Sequence, residues 1–129
     1  MKFPLKLYVL TLQDSKDFRF LCTNYKKSAS VRFFKISKSI LEEIEKCPFR
    51  TLPRSVIIDL ETIPEWQLQQ LLDGFKLFFH TFRAMEIPFR IFLVGKYKNS
   101  DLKRGPETQW ITGWEEVLVS ERLIEQALA

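Results

Sequence analysis

A chain of 129 residues, 46% hydrophobic and 28% charged, is the right size for one domain with a filled core, so a single domain over residues 1–129 is expected. Its longest apolar runs, such as residues 91–94, are strand-sized and exclude a membrane-spanning helix, and the apolar stretch 7–12 behind the basic start is too short for a secretory signal, so a cytosolic protein is expected. The net charge of +4 comes from 20 basic and 16 acidic residues mixed along the whole chain, which is the pattern of a solvated surface and not of a nucleic-acid footprint.

Residues 6–12 (K-L-Y-V-L-T-L) are strand-like. Residues 18–25 (F-R-F-L-C-T-N-Y) alternate, and with the polar turn material of residues 14–17 they read as the second arm of an N-terminal β-hairpin. Phe18, Leu21, Cys22 and Tyr25 also share one helical face, so a helix stays open as the other reading of this segment. From Ser30 to Cys47 the helical period predicts one amphipathic helix: Phe33, Phe34, Ile36, Ile40, Leu41, Ile44 and Cys47 take one side, and Arg32, Lys35, Lys38, Glu42, Glu45 and Lys46 the other. Pro48 would stop it.

Residues 55–60 (S-V-I-I-D-L) are a nearly continuous apolar run that suits a strand buried on both faces. Pro64 then opens a long helix reaching about Met85, with Leu68, Leu71, Leu72, Phe75, Phe78, Phe79, Phe82 and Met85 as its buried stripe. Residues 89–94 (F-R-I-F-L-V) predict another buried strand, residues 96–110 at most a short irregular helix, residues 116–119 a last short strand, and residues 121–128 a terminal helix with Leu123, Ile124, Ala127 and Leu128 turned inward. The predicted fold class is α/β, in the order β-β-α-β-α-β-α-β-α, with a mixed, largely parallel sheet.

No apparatus for catalysis is visible. The four glycines are too scattered for a phosphate-cradling loop or a dinucleotide fingerprint, and no G-x-S-x-G exposes a serine. The single histidine, His80, falls on the polar side of the long helix, so neither a metal cluster nor a triad can be assembled around it. Cys22 and Cys47 form no C-x-x-C and read as buried thiols; Glu42-Glu43 and Glu115-Glu116 read as solvated pairs. The chain is therefore expected to be no enzyme and to need no cofactor or metal. Asp59, ending a buried strand, and Asp14, following the first, lie where an α/β fold places functional groups.

Two stretches resemble the STAS domain, the family of bacterial anti-sigma-factor antagonists and of the cytosolic tails of sulfate transporters. Residues 59–71 (D-L-E-T-I-P-E-W-Q-L-Q-Q-L) are similar to the family's D-L-S-G-V-x-F-I-D-S-S-G-L, and Thr112-Gly113-Trp114 with the ending E-Q-A-L-A is similar to its T-G-L…E-E-A-L-A. Where that family carries a phosphorylated serine or threonine, this chain has Gln67-Leu68-Gln69, so the resemblance implies a regulatory or scaffold module that binds a protein partner without a phosphorylation switch. It places the contact at Glu61, Glu65, Trp66, Gln67, Leu68, Gln69 and Gln70. Trp66, Leu77 and Ala84 share the side of the long helix opposite its apolar stripe, which agrees with a contact surface there.

A second resemblance competes with the first. Residues 13–19 (Q-D-S-K-D-F-R) are similar to the E-D-S-x-x-F-R that follows the first strand of response-regulator receiver domains, which puts Asp59 at the phosphoacceptor position. Gln13 would then replace the first acid, Val94-Gly95 the hydroxyl after the fourth strand, and Ser120 the lysine, giving a receiver that binds protein without phosphorelay chemistry. The two readings differ over one segment: a STAS domain needs a strand at residues 18–25 and one helix from Ser30 to Cys47, while a receiver needs a helix first and then a strand at residues 31–36. The amphipathic pattern after Ser30 favours the STAS order.

Overall fold

A computed structural model of the chain describes residues 5–11, 15–25, 29–34, 42, 44, 46, 53–62, 65–87, 89–95, 111–115 and 119–128. Strand β1 (Leu5–Leu10) leads into helix α1 (Lys16–Tyr25) and strand β2 (Ala29–Phe34). Strand β3 (Ser55–Asp59) is followed by a 3-10 turn (Leu60–Thr62) and helix α2 (Glu65–Ala84), then strands β4 (Arg90–Val94) and β5 (Gly113–Glu115) and helix α3 (Glu121–Ala127). The strands form one sheet in the order β2-β1-β3-β4-β5, and every pairing is parallel. The predicted α/β class stands, and none of the described helices is long and apolar enough to cross a membrane.

Strict alternation along the central strands divides the core in two. Tyr8, Leu10, Val56, Ile58, Ile91 and Leu93 face α2, packing on Leu71, Leu72, Phe75 and Phe82. Leu7, Val9, Ile57, Phe92 and Val94 face the other way, against Phe18 and Cys22 of α1 and Leu123, Ile124, Ala127 and Leu128 at the chain's end. Helices thus cover both faces, which is why β3 and β4 read as nearly unbroken apolar runs. Gly113 opens β5 because a Cβ there would come 2.9 Å from Phe92 Cδ1.

The N-terminal third differs from the expected order. No hairpin forms, because β1 and β2 run parallel and residues 18–25 belong to α1. Ser15 caps that helix by accepting from the Phe18 amide at 3.2 Å, and Asp17 in the first turn complements the helix dipole. Phe18 and Cys22, one turn apart, are buried, whereas Phe20, which made the segment look like an alternating strand, is 65% exposed.

The single helix from Ser30 to Cys47 is corrected in the same way. Residues 29–34 are an edge strand, and only Glu42, Ile44 and Lys46 beyond it are described, each with helical backbone. The apparent stripe combined two elements. Val31 and Phe33 pack on one face of the sheet and Phe34 on the other, a two-sided pattern that also fits a helical period when run into Ile44. Cation–π contacts fix the strand: Arg19 of α1 lies over Phe33 at 4.4 Å while its Nη1 donates to the Val31 carbonyl at 3.0 Å, and Arg32 lies over Phe34 at 4.8 Å.

Smaller corrections follow. The last described strand is Gly113–Glu115; of the expected strand at residues 116–119, residues 116–118 lie outside the described set, and Val119 is an exposed bend. Met85 ends outside the apolar stripe, 63% exposed, because α2 stops at Ala84 and the chain turns through Glu86 at positive φ. The expectations for residues 96–110 and for Cys47 fall outside the described residues, while Leu123, Ile124, Ala127 and Leu128 are buried as predicted.

The C-terminal helix is fastened to the sheet by polar bonds at its end. The fully buried Ser55 hydroxyl donates to the Ala127 carbonyl at 2.8 Å, and Arg90 Nη1 donates to the Gln126 carbonyl at 2.8 Å, so two of the helix's terminal carbonyls are satisfied from β3 and β4. Replacing Ser55 with Ala should lower stability by about 1–2 kcal/mol, since a buried acceptor loses its donor. A urea midpoint unchanged from the parent would show that the bond contributes nothing.

Candidate functional site

In a doubly wound sheet, ligands meet the carboxyl ends of the strands where the winding reverses. Here that point lies between β1 and β3, and the structure gathers polar groups there. Thr11 directly follows β1, its amide extending the ladder to the Phe34 carbonyl, and its hydroxyl donates to Asp59 Oδ2 at 3.2 Å. The other carboxylate oxygen of Asp59 accepts from the Glu61 amide at 3.2 Å, which starts the 3-10 turn at Leu60.

Burial raises the Asp59 carboxyl above its ordinary range; the hydrogen bonds from Glu61 and Thr11 pull in the opposite direction, and the charge of Glu61 adds to the rise. Strand ends of an α/β sheet are where functional carboxylates stand, and Asp59 holds such a place. Because the folded state holds the Asp59 proton more tightly than the unfolded chain, stability falls as pH rises from about 4 through the raised value and stays lower at neutral pH.

The neighbouring strands complete the edge. In register, Asp59 is level with Val94 on β4, and Val94 is level with Glu115 on β5. Just beyond, Gly95 adopts φ +137°, a conformation L side chains rarely take, and a Cβ there would approach Glu61 Cγ to 3.0 Å. Its amide donates to the Glu115 carbonyl at 2.8 Å, and its own carbonyl accepts the Trp114 indole N–H at 3.0 Å. Arg122 reaches from α3 to Glu115 at 3.4 Å.

Two positions differ from the sequence expectation. Ser120 does not stand at the sheet edge in place of a lysine; it caps α3, its hydroxyl accepting from the Leu123 amide at 3.3 Å. The residue that the register sets in the Asp59 row on β5 is Glu115, two strand spacings or about 10 Å away. An apolar Val94 thus separates Asp59 from a second acid, Glu115, which is paired with Arg122.

Of the proposed contact residues, Glu61 lies exposed in the 3-10 turn and Gln70 exposed on α2, while Glu65, Trp66, Gln67, Leu68 and Gln69 form the start of that helix, with their side chains outside the described set. Gln13 and Asp14 also lie outside it. Thr11 and Glu115 were missed by sequence reasoning; the signal for Thr11 was its place at the end of a strand, and for Glu115 only the strand register could supply one. Among the described residues no group of three or more His, Cys, Asp or Glu side chains is placed to hold a metal ion. The Cys22 thiol, pushed up to about 12 by burial, is no nucleophile at neutral pH. His80 is exposed on α2, far along the helix from this edge.

No protein-family model matches the sequence, and no curated protein does. Among solved structures, the chain is similar to the signal receiver domain of NarL from Mycobacterium tuberculosis, a protein described as a response regulator, with a TM-score of 0.54, 15% identity and 99% of each chain covered. The chain has a receiver fold. The STAS reading is overturned by this likeness and by the elements themselves, since a helix stands at residues 16–25 and a strand at 29–34, the reverse of the STAS order. At this level of identity the likeness establishes the receiver fold alone.

Asp59→Asn keeps acceptor and donor groups for Glu61 and Thr11 but removes the half-buried charge. The variant should unfold at higher urea than the parent at pH 7, with the gap closing as pH falls to about 4. A variant less stable than the parent at pH 7 would show that the carboxylate stabilises the folded state.

Proposed function

We propose that the chain is a non-catalytic, cytosolic regulatory module with a receiver-type fold that acts by binding a protein partner, independently of phosphorylation. The observation that supports this reading is the row across the carboxyl edge: Asp59, Val94 and Glu115 lie on three successive strands. A phosphoacceptor aspartate needs cations to neutralise the charge developing on the transferred group, and this row offers an apolar residue and a second acid instead. Asp59 then serves structure, tying β1 to the 3-10 turn and setting the shape of the loop edge. The partner surface is that edge together with the start of α2, including Glu61 and Gln70, both exposed.

The place of Asp59 at the end of β3, beside the winding reversal, favours the opposite reading, a working phosphoacceptor. Incubation of the purified chain with acetyl phosphate and magnesium, followed by intact-mass spectrometry, separates the two. The proposal expects no phosphorylated species. A product carrying one phosphoryl group, abolished by Asp59→Asn, would overturn it.

A further inference from the structure

We propose that two copies of this chain associate through their α2 helices, packed antiparallel about a two-fold axis at Leu77. The outer face of α2 carries Gln70, Asp73, Leu77, His80 and Ala84, spaced alternately three and four residues apart, and all five are exposed. Residues so spaced line one strip of the helix, a candidate seam with Leu77 and Ala84 as its apolar members and Asp73 and His80 as its acid and imidazole. The inner face of the same helix, with Leu71, Leu72, Phe75 and Phe82, is already buried on the sheet, so the seam is a second, separate stripe. Leu77 at its centre is 68% exposed.

The order of residues along the seam indicates which partner it fits. Gln70 and Ala84 lie seven residues on either side of Leu77, about 10 Å along the axis, so a two-fold at Leu77 sets each against the other. Asp73 lies about 6 Å to one side and His80 about 4.5 Å to the other, so the same operation brings the carboxylate of one copy level with the imidazole of the next to within about 1.5 Å along the axis. An imidazole N–H donating to a carboxylate is favourable, and a carboxylate has acceptor sites to spare beyond any used within its own chain. A parallel pairing would instead set Asp73 against Asp73. A pattern that complements itself only after a two-fold rotation is that of an isologous dimer.

The hydroxyl next to Leu77 and His80 needs no partner from a second copy. The Thr81 hydroxyl donates to the Leu77 carbonyl at 2.9 Å, so it is satisfied before any partner arrives, and the His80 ring is held edge-on against Phe79 with centroids 5.5 Å apart. The dimer does not depend on whether Asp59 is phosphorylated, because the seam lies on the outer face of α2 and not at the strand ends.

Sedimentation equilibrium of the full chain tests the proposal. The parent should be a dimer, Leu77→Glu a monomer with unchanged far-UV circular dichroism, and His80→Asp a dimer weakened at least tenfold because it opposes two acids. The double variant Asp73→Lys with His80→Asp sets an ammonium donor against the new carboxylate and should restore association. A parent that is monomeric up to about 0.5 mM, where even weak complexes assemble, would overturn the proposal. So would a Leu77→Glu dimer, a failed restoration by the double variant, or a monomer that pairs only with a different protein.

Discussion

The parallel pairing of β1 with both β2 and β3 determines most of what else the chain can be. Parallel neighbours cannot be joined by a tight hairpin, so the chain must cross over a face of the sheet to return to the same end. Between β1 and β2 that crossing is made by α1, which is why residues 18–25 coil despite alternating like a strand. Because β3 returns to the other side of β1, the winding reverses there, and Thr11 and Asp59 meet across the resulting gap. The only polar side chains among the described buried residues, Thr11 and Ser55, both lie on this β1–β3 unit or beside it, and each hydroxyl has an acceptor.

Elements buried on both sides by design were legible in the sequence. The runs at residues 55–59 and 90–94 have no other plausible use, and α2 declares itself through Leu71, Leu72, Phe75 and Phe82 at helical spacing. The edge of the sheet was harder. A strand such as β2 packs partly on both faces, so Val31, Phe33 and Phe34 show no clean two-residue period, and their apolar positions merge with those of the helical residues that follow. What decides between the two conformations is the pairing with β1 and the arginine contacts from α1 and within β2, which are tertiary and invisible to a local window.

The candidate site was legible to the same degree. Asp59 was found because it terminates a strand whose burial was evident, but the residues that define its surroundings come from strands whose register no single segment encodes. Ser120 shows the difference: counted along the chain it stood near a functional row, whereas in space its hydroxyl is used to start a helix. The edge is therefore best understood as a set of backbone-imposed positions filled by whatever residues the register brings, here an acid, a valine and another acid.

The bond from Ser55 to Ala127 joins residues 72 positions apart, and it has a bearing on how the chain is made. Leu7, Val9, Ile57 and Phe92 are covered on one face by side chains that include Leu123, Ile124, Ala127 and Leu128. Synthesis runs from the N-terminus, so the strands that pair early leave the ribosome with that face still lacking its last cover. Until α3 has emerged, the nascent sheet presents apolar surface that a chaperone can hold and a protease can find. That face of the core is covered, and the surveillance ends, only once α3 has packed on it.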